Sequence, residues 1–193
     1  MKYKKPVAVG VLAAMAFVLQ MLEFSLPFLP SFLKFDFSDI PALLVSFAYG
    51  PFWGLAAELV KNLLHCPLTH TSCVGELANF LVGSCLVVPA GAIYQNVRTR
   101  KGALIGSAVG TVTSAAVSFP VNMFITYPFY GSFMGGTENI VSIYKAIFPS
   151  LDTLPKCLLA VNIPFTFAKG IICTAITFLI YKKISPLLKK MEN

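Results

Sequence analysis

The stretch CLLAVNIPFTFAKGIICTAITFLIY, residues 157–181, is 25 residues long and almost wholly apolar. Because a transmembrane helix needs about 20 predominantly apolar residues, this stretch predicts a membrane span. Lys169 lies near its middle, where an ammonium group costs roughly 2.5–3.5 kcal/mol and has no short route to the lipid headgroups. Such a residue normally faces the interior of a helix bundle, and Asn162 and Thr166 share its helical face. This polar face is either a hydrogen-bonded contact between helices or, as we favour, part of a ligand site.

The composition also indicates an integral membrane protein. Of the 193 residues, 56% are hydrophobic and only 12% are charged, whereas a soluble domain has about 25% charged residues. We expect an all-α bundle of six transmembrane helices that forms a single domain over residues 1–193. The sequence has no glycine-rich phosphate loop, so the chain is not expected to hydrolyse ATP by itself. Its net charge of +7 lies in end segments and one loop, which indicates membrane topology rather than nucleic-acid binding.

The apolar segments predict six helices, and the second and third are too short for straight spans. Basic residues cluster at 2–5, 98–101 and 182–190. Six spans place these three clusters on one side of the membrane, so both termini are predicted to be cytoplasmic. The predicted helices cover about residues 6–26, 38–50, 52–64, 76–95, 103–127 and 156–181.

The segment between the first two predicted helices, residues 27–39, is rich in aromatic and charged side chains. So aromatic a loop is unusual on a solvent surface. It can lie in the membrane interface, or it can cap a pocket that holds a flat ligand. The phenylalanines are Phe28, Phe32, Phe35 and Phe37, and the charged residues are Lys34, Asp36 and Asp39.

The third predicted helix has polar residues within an apolar stretch. Glu58, Lys61 and Asn62 fall on one face by their spacing. A Glu–Lys pair inside a bundle can neutralise itself, and we favour that over a catalytic role. Neither a paired-acid motif nor a metal motif accompanies Glu58, so we do not expect an enzyme.

The five cysteines form no CxxC pair, and three of them lie in apolar runs. We therefore expect free thiols. Cys66 and Cys73 share a loop with His65 and His70, but their spacing matches no zinc pattern. The role of this loop is left open.

The first predicted helix is rich in small residues, which let another helix approach closely in lipid. They serve either packing inside the bundle or docking to a separate membrane protein. The residues concerned are Ala8, Gly10, Ala13 and Ala14.

Five runs carry a family resemblance: FLKFDFSDIPALL (32–44), ELVKNLL (58–64), GELANFL (75–81), VPAGAIY (88–94) and NIPFTFAKG (162–170). They resemble the riboflavin-binding S components of energy-coupling factor (ECF) transporters. The resemblance covers essentially the whole chain in the same order. It implies a six-helix, high-affinity riboflavin-binding protein of the cell membrane that is not an enzyme and needs no cofactor. It further implies a coupling transmembrane subunit and two cytoplasmic ATPases as partners.

The same resemblance implies where the vitamin binds: near the outer face, under the first loop, among helices four to six. Carried over by position, Asn122, Thr166 and Lys169 bond the ribityl hydroxyls and the ring edge. The family usually has Asn where this chain has Thr166, whose hydroxyl also donates and accepts. Rival interpretations are a carrier of another vitamin or a purine-like base, and a structural membrane protein without a ligand. The predicted substrate-binding residues are Phe32, Phe35, Asp36, Glu58, Asn79, Asn122, Thr166 and Lys169, and the predicted docking residues are Ala8, Gly10, Ala13 and Ala14.

Overall fold

The computed structural model describes residues 4–69 and 71–192, with side chains up to residue 181. Helices dominate this part of the chain, and one short antiparallel hairpin interrupts them. The elements are α1 (Lys4–Met21), β1 (Phe24–Ser25), β2 (Lys34–Phe35), α2 (Asp39–Tyr49), α3 (Pro51–His65), α4 (Val74–Asn96), α5 (Arg100–Val121), α6 (Tyr127–Met134), α7 (Thr137–Ile147), α8 (Leu154–Cys157) and α9 (Ile163–Glu192).

Four helical stretches of the described chain are long and apolar enough to cross a membrane: Lys4–Met21, Val74–Asn96, Arg100–Met134 and Leu154–Tyr181. Asp39–Tyr49 is a shorter apolar helix. The prediction of an all-α membrane fold is thus confirmed. Of the six predicted spans, four correspond to helices that are long and apolar enough to cross a membrane. The helix α7 lies between the predicted fifth and sixth helices, outside the six predicted ranges.

Two π-helical turns, Asn122–Thr126 and Leu158–Asn162, join shorter helices into long ones. Each turn is followed two residues later by a proline, Pro128 or Pro164. A proline cannot donate to the carbonyl four residues before it, and its ring crowds that carbonyl, so the preceding turn widens. The predicted fifth helix, 103–127, is for this reason the middle of a continuous stretch that ends at Met134.

The helices α4 and α5 pack closely because small residues line their contact. A Cβ atom added at Gly106 would lie 2.6 Å from the carbonyl oxygen of Ala90. Such an approach of two backbones requires glycine. Residues of both α4 and α5 line the cavity described below.

The small residues of α1 divide between two environments. Ala8 and Ala13 are buried inside the bundle. Ala14 is exposed on the outer surface, and an added Cβ at Gly10 would meet nothing within 4 Å. Packing within the chain therefore explains Ala8 and Ala13, and only Gly10 and Ala14 remain accessible to a separate protein.

The expectation of five free thiols is wrong for two of the cysteines. Cys66 and Cys73 form a disulfide across the loop between α3 and α4, while Cys85, Cys157 and Cys173 are free. A separation of seven residues permits such a loop, but no sequence rule demands it, because pairing depends on the distance between the two Cα atoms, here 5.0 Å.

Candidate functional site

A cavity of about 290 Å³ lies between the β1–β2 hairpin, the α3–α4 loop and the helices α4, α5, α6 and α9. Its volume is close to the lower end of the range for small-molecule sites. Six of the eight predicted substrate-binding residues line it. They are Phe32, Asp36, Asn79, Asn122, Thr166 and Lys169.

The other two predicted residues, Phe35 and Glu58, lie behind the cavity wall. The ring of Phe35 is buried and packs edge-on against Phe165, which does line the cavity. Glu58 is fully buried, with Oε2 at 2.9 Å from the Nζ atom of Lys61. These two side chains therefore do not line the cavity, although both were predicted to bind the substrate. The helical spacing indicated the face on which Glu58 lies, but not how deep in the bundle that face is buried.

Three half-buried polar side chains of the wall, Asn79, Asn122 and Thr166, come from α4, the first π-turn and α9. Within the described residues, none of the three side chains makes a hydrogen bond. Polar groups in protein interiors are normally hydrogen-bonded. Three convergent amide and hydroxyl groups without protein partners can therefore bind a ligand that carries several hydroxyl or carbonyl groups.

Lys169 pairs with two acidic side chains: Asp36, just before α2, and Asp39, the first residue of α2. Its Nζ atom lies 2.8 Å from Asp36 Oδ2 and 3.3 Å from Asp39 Oδ2. Asp39 also accepts a hydrogen bond of 2.6 Å from Lys61 on α3. The buried ammonium of Lys169 is thus neutralised at the cavity wall, by acids other than Glu58.

The position of Asp36 is set by its own local hydrogen bonds. Its Oδ1 atom accepts from the backbone N–H of Ser38 at 2.8 Å and from the Ser38 hydroxyl. Aspartate commonly bonds the backbone two residues ahead in this way and so stabilises a turn. The turn joins β2 to α2 and holds the carboxylate against Lys169.

Aromatic and amide groups form a buried triangle beside the second π-turn. The Tyr127 and Tyr144 hydroxyls lie 2.6 Å apart, Tyr144 donates to Asn162 Oδ1 at 2.6 Å, and Asn162 Nδ2 donates to the Tyr127 hydroxyl at 2.7 Å. Phe32 packs edge-on against both tyrosine rings. Burial raises the pKa of Tyr144 well above its ordinary value, so its hydroxyl stays a neutral donor. The triangle attaches α7 to α6 and to the turn before α9.

The α3–α4 loop supplies another part of the wall. Glu76 Oε1 lies 3.0 Å from His65 Nδ1, and Glu76 Oε2 accepts a hydrogen bond of 3.0 Å from the Thr71 hydroxyl. The Cys66–Cys73 disulfide closes this loop, and His70 lies outside the described residues. His65, at the end of α3, is therefore engaged by a carboxylate from the first turn of α4.

Several wall residues were not predicted, among them Tyr127, Tyr130, Phe165 and Glu76. Glu76 was visible as an acid in the first turn of a helix, three residues before Asn79 and hence on the same face. The aromatic residues offered no such signal, because a membrane helix is apolar on most sides.

Comparison with known proteins is consistent with this arrangement. Residues 4–181 match the family described as ECF transporter, substrate-specific component. The chain is 35% identical to the riboflavin transporter RibU of Staphylococcus aureus (strain TCH60), an alignment that covers 97% of this chain and 94% of the relative. It is 31% identical to the riboflavin transporter FmnP of Bacillus subtilis (strain 168), over 100% and 98% of the two chains.

A solved S component of a bacterial ECF transporter has a similar fold. The superposition has a TM-score of 0.78 at 33% sequence identity and covers 98% of this chain and 99% of the other. Sequence and fold therefore agree over nearly the full length of both chains. This chain belongs to the family of substrate-specific components of ECF transporters.

Proposed function

We propose that this chain is the high-affinity riboflavin-binding subunit of an ECF-type vitamin importer. The observation that carries the proposal is the cavity whose wall includes Asn79, Asn122 and Thr166, three polar side chains without a protein partner among the described residues. The relatives named above are riboflavin transporters, and they match this chain across the elements that form the cavity.

Riboflavin suits the two kinds of wall that this cavity has. It is a neutral, flat tricycle that bears a polyol chain. Aromatic side chains such as Phe32 and Phe165 can cover the ring. The hydroxyls of the polyol can exchange hydrogen bonds with Asn79, Asn122 and Thr166. Binding of this kind needs neither a nucleophile nor a cofactor, so we propose no enzymatic role.

Lys169 can contribute one further hydrogen bond. Its ammonium group has three donors, and the structure uses them toward Asp36 and Asp39. A donor that remains can reach a ligand oxygen at the wall without breaking the ion pairs. Asp36 then acts by holding Lys169, and direct contact between Asp36 and the vitamin is a second possible role for its wall-lining carboxylate.

Delivery into the cell would require the family's coupling transmembrane subunit and two cytoplasmic ATPases. We assign docking to the exposed face of α1 at Gly10 and Ala14, where small residues permit close helix contact. In this proposal α2 and α3 form the two short spans of a six-span topology. Both termini then lie in the cytoplasm, together with the basic residues 98–101.

A carrier for another vitamin or for a purine-like base is the alternative, since apolar walls and amides are not specific to flavins. The absorption spectrum of the purified protein distinguishes the two, because retained riboflavin is yellow. Competition of labelled riboflavin by a panel of vitamins and bases extends the test. Displacement by riboflavin alone supports the proposal, and tighter binding of another compound would replace it.

A further inference from the structure

Five ionisable side chains form a continuous chain that runs from the cavity wall, at Asp36, Asp39 and Lys169, to Lys61 and Glu58 behind it. Lys61 Nζ lies 2.9 Å from Glu58 Oε2 and 2.6 Å from Asp39 Oδ1. Lys169 Nζ lies 3.3 Å from Asp39 Oδ2 and 2.8 Å from Asp36 Oδ2. The side chains are between 0% and 13% exposed, so water does little to screen their charges.

The chain contains three carboxyl groups and two ammonium groups. If all five were ionised, the interior of the bundle would hold one uncompensated negative charge. An uncompensated buried charge costs several kcal/mol, and a group in that position normally changes its protonation state instead. One bound proton makes the cluster neutral.

The hydrogen bonds distinguish the three carboxyl groups. Asp36 accepts from Ser38 and Lys169, and Asp39 accepts from Lys61 and pairs with Lys169. The fully buried Glu58 has a single close partner in the described part of the chain: Lys61 Nζ lies 2.9 Å from Oε2, and Oε1 has no hydrogen-bond partner. Lys61 divides its three donors among this contact, Ser38 and Asp39. Because a buried carboxylate normally accepts several hydrogen bonds, Glu58 is the least satisfied of the three as an anion.

The neighbours of Glu58 agree with this assignment. The charged groups that act on it are Lys61 on its own helix, Asp39 on α2 and Lys169 on α9. From α4 it is faced by Gly83, where an added Cβ would lie 2.6 Å from Glu58 Oε2. Gly83 itself lines the cavity, so the carboxyl group of Glu58 lies directly behind the cavity wall.

We propose that Glu58 is a protonation site in the membrane-embedded core and holds the proton that neutralises this five-residue cluster. The ligand of the site is the proton itself. Its occupancy leaves no net charge behind the wall at Gly83, so an uncharged ligand is not placed beside an unpaired carboxylate. The inference does not depend on which compound the cavity binds.

Infrared spectroscopy of the purified full-length protein at neutral pH tests the site directly. A protonated side-chain carboxyl gives a C=O band distinct from the carboxylate bands, and this band shifts in D2O. We expect the band in the parent and in the control Glu23→Gln, and we expect its loss in Glu58→Gln. It should also disappear in Asp39→Asn, because Glu58 then ionises to balance the two lysines. If the difference spectrum between the parent and Glu58→Gln contains only carboxylate bands, the proposal is overturned. Failure of Glu58→Gln to fold would also overturn it, because Gln has the shape of the neutral acid.

Rescue of a lysine variant gives a second, independent measurement. Lys61→Met removes one positive charge and should melt lower than the parent. With Glu58 neutral, adding Asp39→Asn restores charge balance and should recover part of the melting temperature, whereas adding Glu58→Gln should not. Recovery by Glu58→Gln equal to or larger than that by Asp39→Asn would show that Glu58 is ionised and would contradict the proposal.

Discussion

The Nζ atom of Lys169 lies 2.8 Å from the Oδ2 atom of Asp36, across 133 positions of sequence. The contact ties α9 to the turn that follows the β1–β2 hairpin. Both side chains line the cavity, so one ion pair joins the loop that carries Phe32 to the helix that carries Thr166. Its contribution to stability and its contribution to ligand binding can be separated by mutation.

Lys169→Met should lower both the melting temperature and the affinity for riboflavin. The stem remains, but Asp36 loses its cationic partner in a buried setting, a change that costs about 3–5 kcal/mol when a buried pair is broken. The double variant Lys169→Met/Asp36→Asn should melt close to the parent, because the unpaired carboxylate is gone. Its affinity should remain about 1.5–3 kcal/mol weaker, the usual worth of a hydrogen bond from a charged group. A double variant that binds as tightly as the parent would assign Lys169 a structural role alone.

Thr166→Val should weaken riboflavin binding by about 1 kcal/mol and leave the melting temperature nearly unchanged. Valine keeps the shape of threonine and removes the hydroxyl that faces the cavity. Thr166→Asn restores a donor and an acceptor and should bind at least as well as Thr166→Val. Thr113→Val is the matched control, because that hydroxyl bonds the Val109 carbonyl within α5 and is outside the cavity wall. Equal losses of riboflavin affinity in Thr166→Val and Thr113→Val would show that the Thr166 hydroxyl does not contact the ligand.

Gly10→Leu/Ala14→Leu should abolish transport and complex assembly while riboflavin binding by the isolated protein persists. Both positions are exposed on α1, so larger side chains obstruct a partner and leave the bundle intact. Ala13→Leu should instead lower the melting temperature, because Ala13 is 0% exposed and the packing around it leaves no space for three more carbon atoms. Pull-down of the coupling subunit, with flavin titration of the same preparations, checks both. Normal assembly of the Gly10/Ala14 variant would exclude this face as the docking surface.

Cys66→Ser/Cys73→Ser should loosen the α3–α4 loop and reduce riboflavin affinity. A disulfide that closes so short a loop contributes about 2–3 kcal/mol in the chain-entropy account. Without it, Thr69 and Thr71 are no longer held at the cavity wall. Treatment of the parent with a reductant should have the same effect, and Cys85→Ser, which removes a free thiol, should have none. Unchanged affinity in the reduced protein would show that the disulfide does not position the wall.

The helical membrane fold and six of the wall residues were predicted from the sequence, in part because helical spacing decides which side chains share a face. Asn162, Thr166 and Lys169 were expected together and do line one cavity. The spacing of residues along a helix does not show how deeply a helical face is buried in the bundle. Glu58 was therefore predicted at the ligand, although it lies behind Gly83.

Contacts between distant segments were the least predictable part. Asp36 and Asp39 were visible only as charges in an aromatic loop, and their pairing with Lys169 depends on how the hairpin folds over α9. The π-turns depend on Pro128, one residue beyond the predicted fifth helix, and on Pro164, inside the predicted sixth helix. The Cys66–Cys73 bond depends likewise on the path of the α3–α4 loop.

Riboflavin titration of the purified protein tests the central claim most directly. Flavin fluorescence and heat are measured as riboflavin is added to the parent and to Asn122→Ala/Thr166→Ala, which removes two of the unpartnered polar groups from the wall. The account predicts strong quenching with one riboflavin bound per parent chain, and markedly weaker binding by a variant that still folds. Neither quenching nor heat with the parent, or equally tight binding by the folded variant, would contradict it.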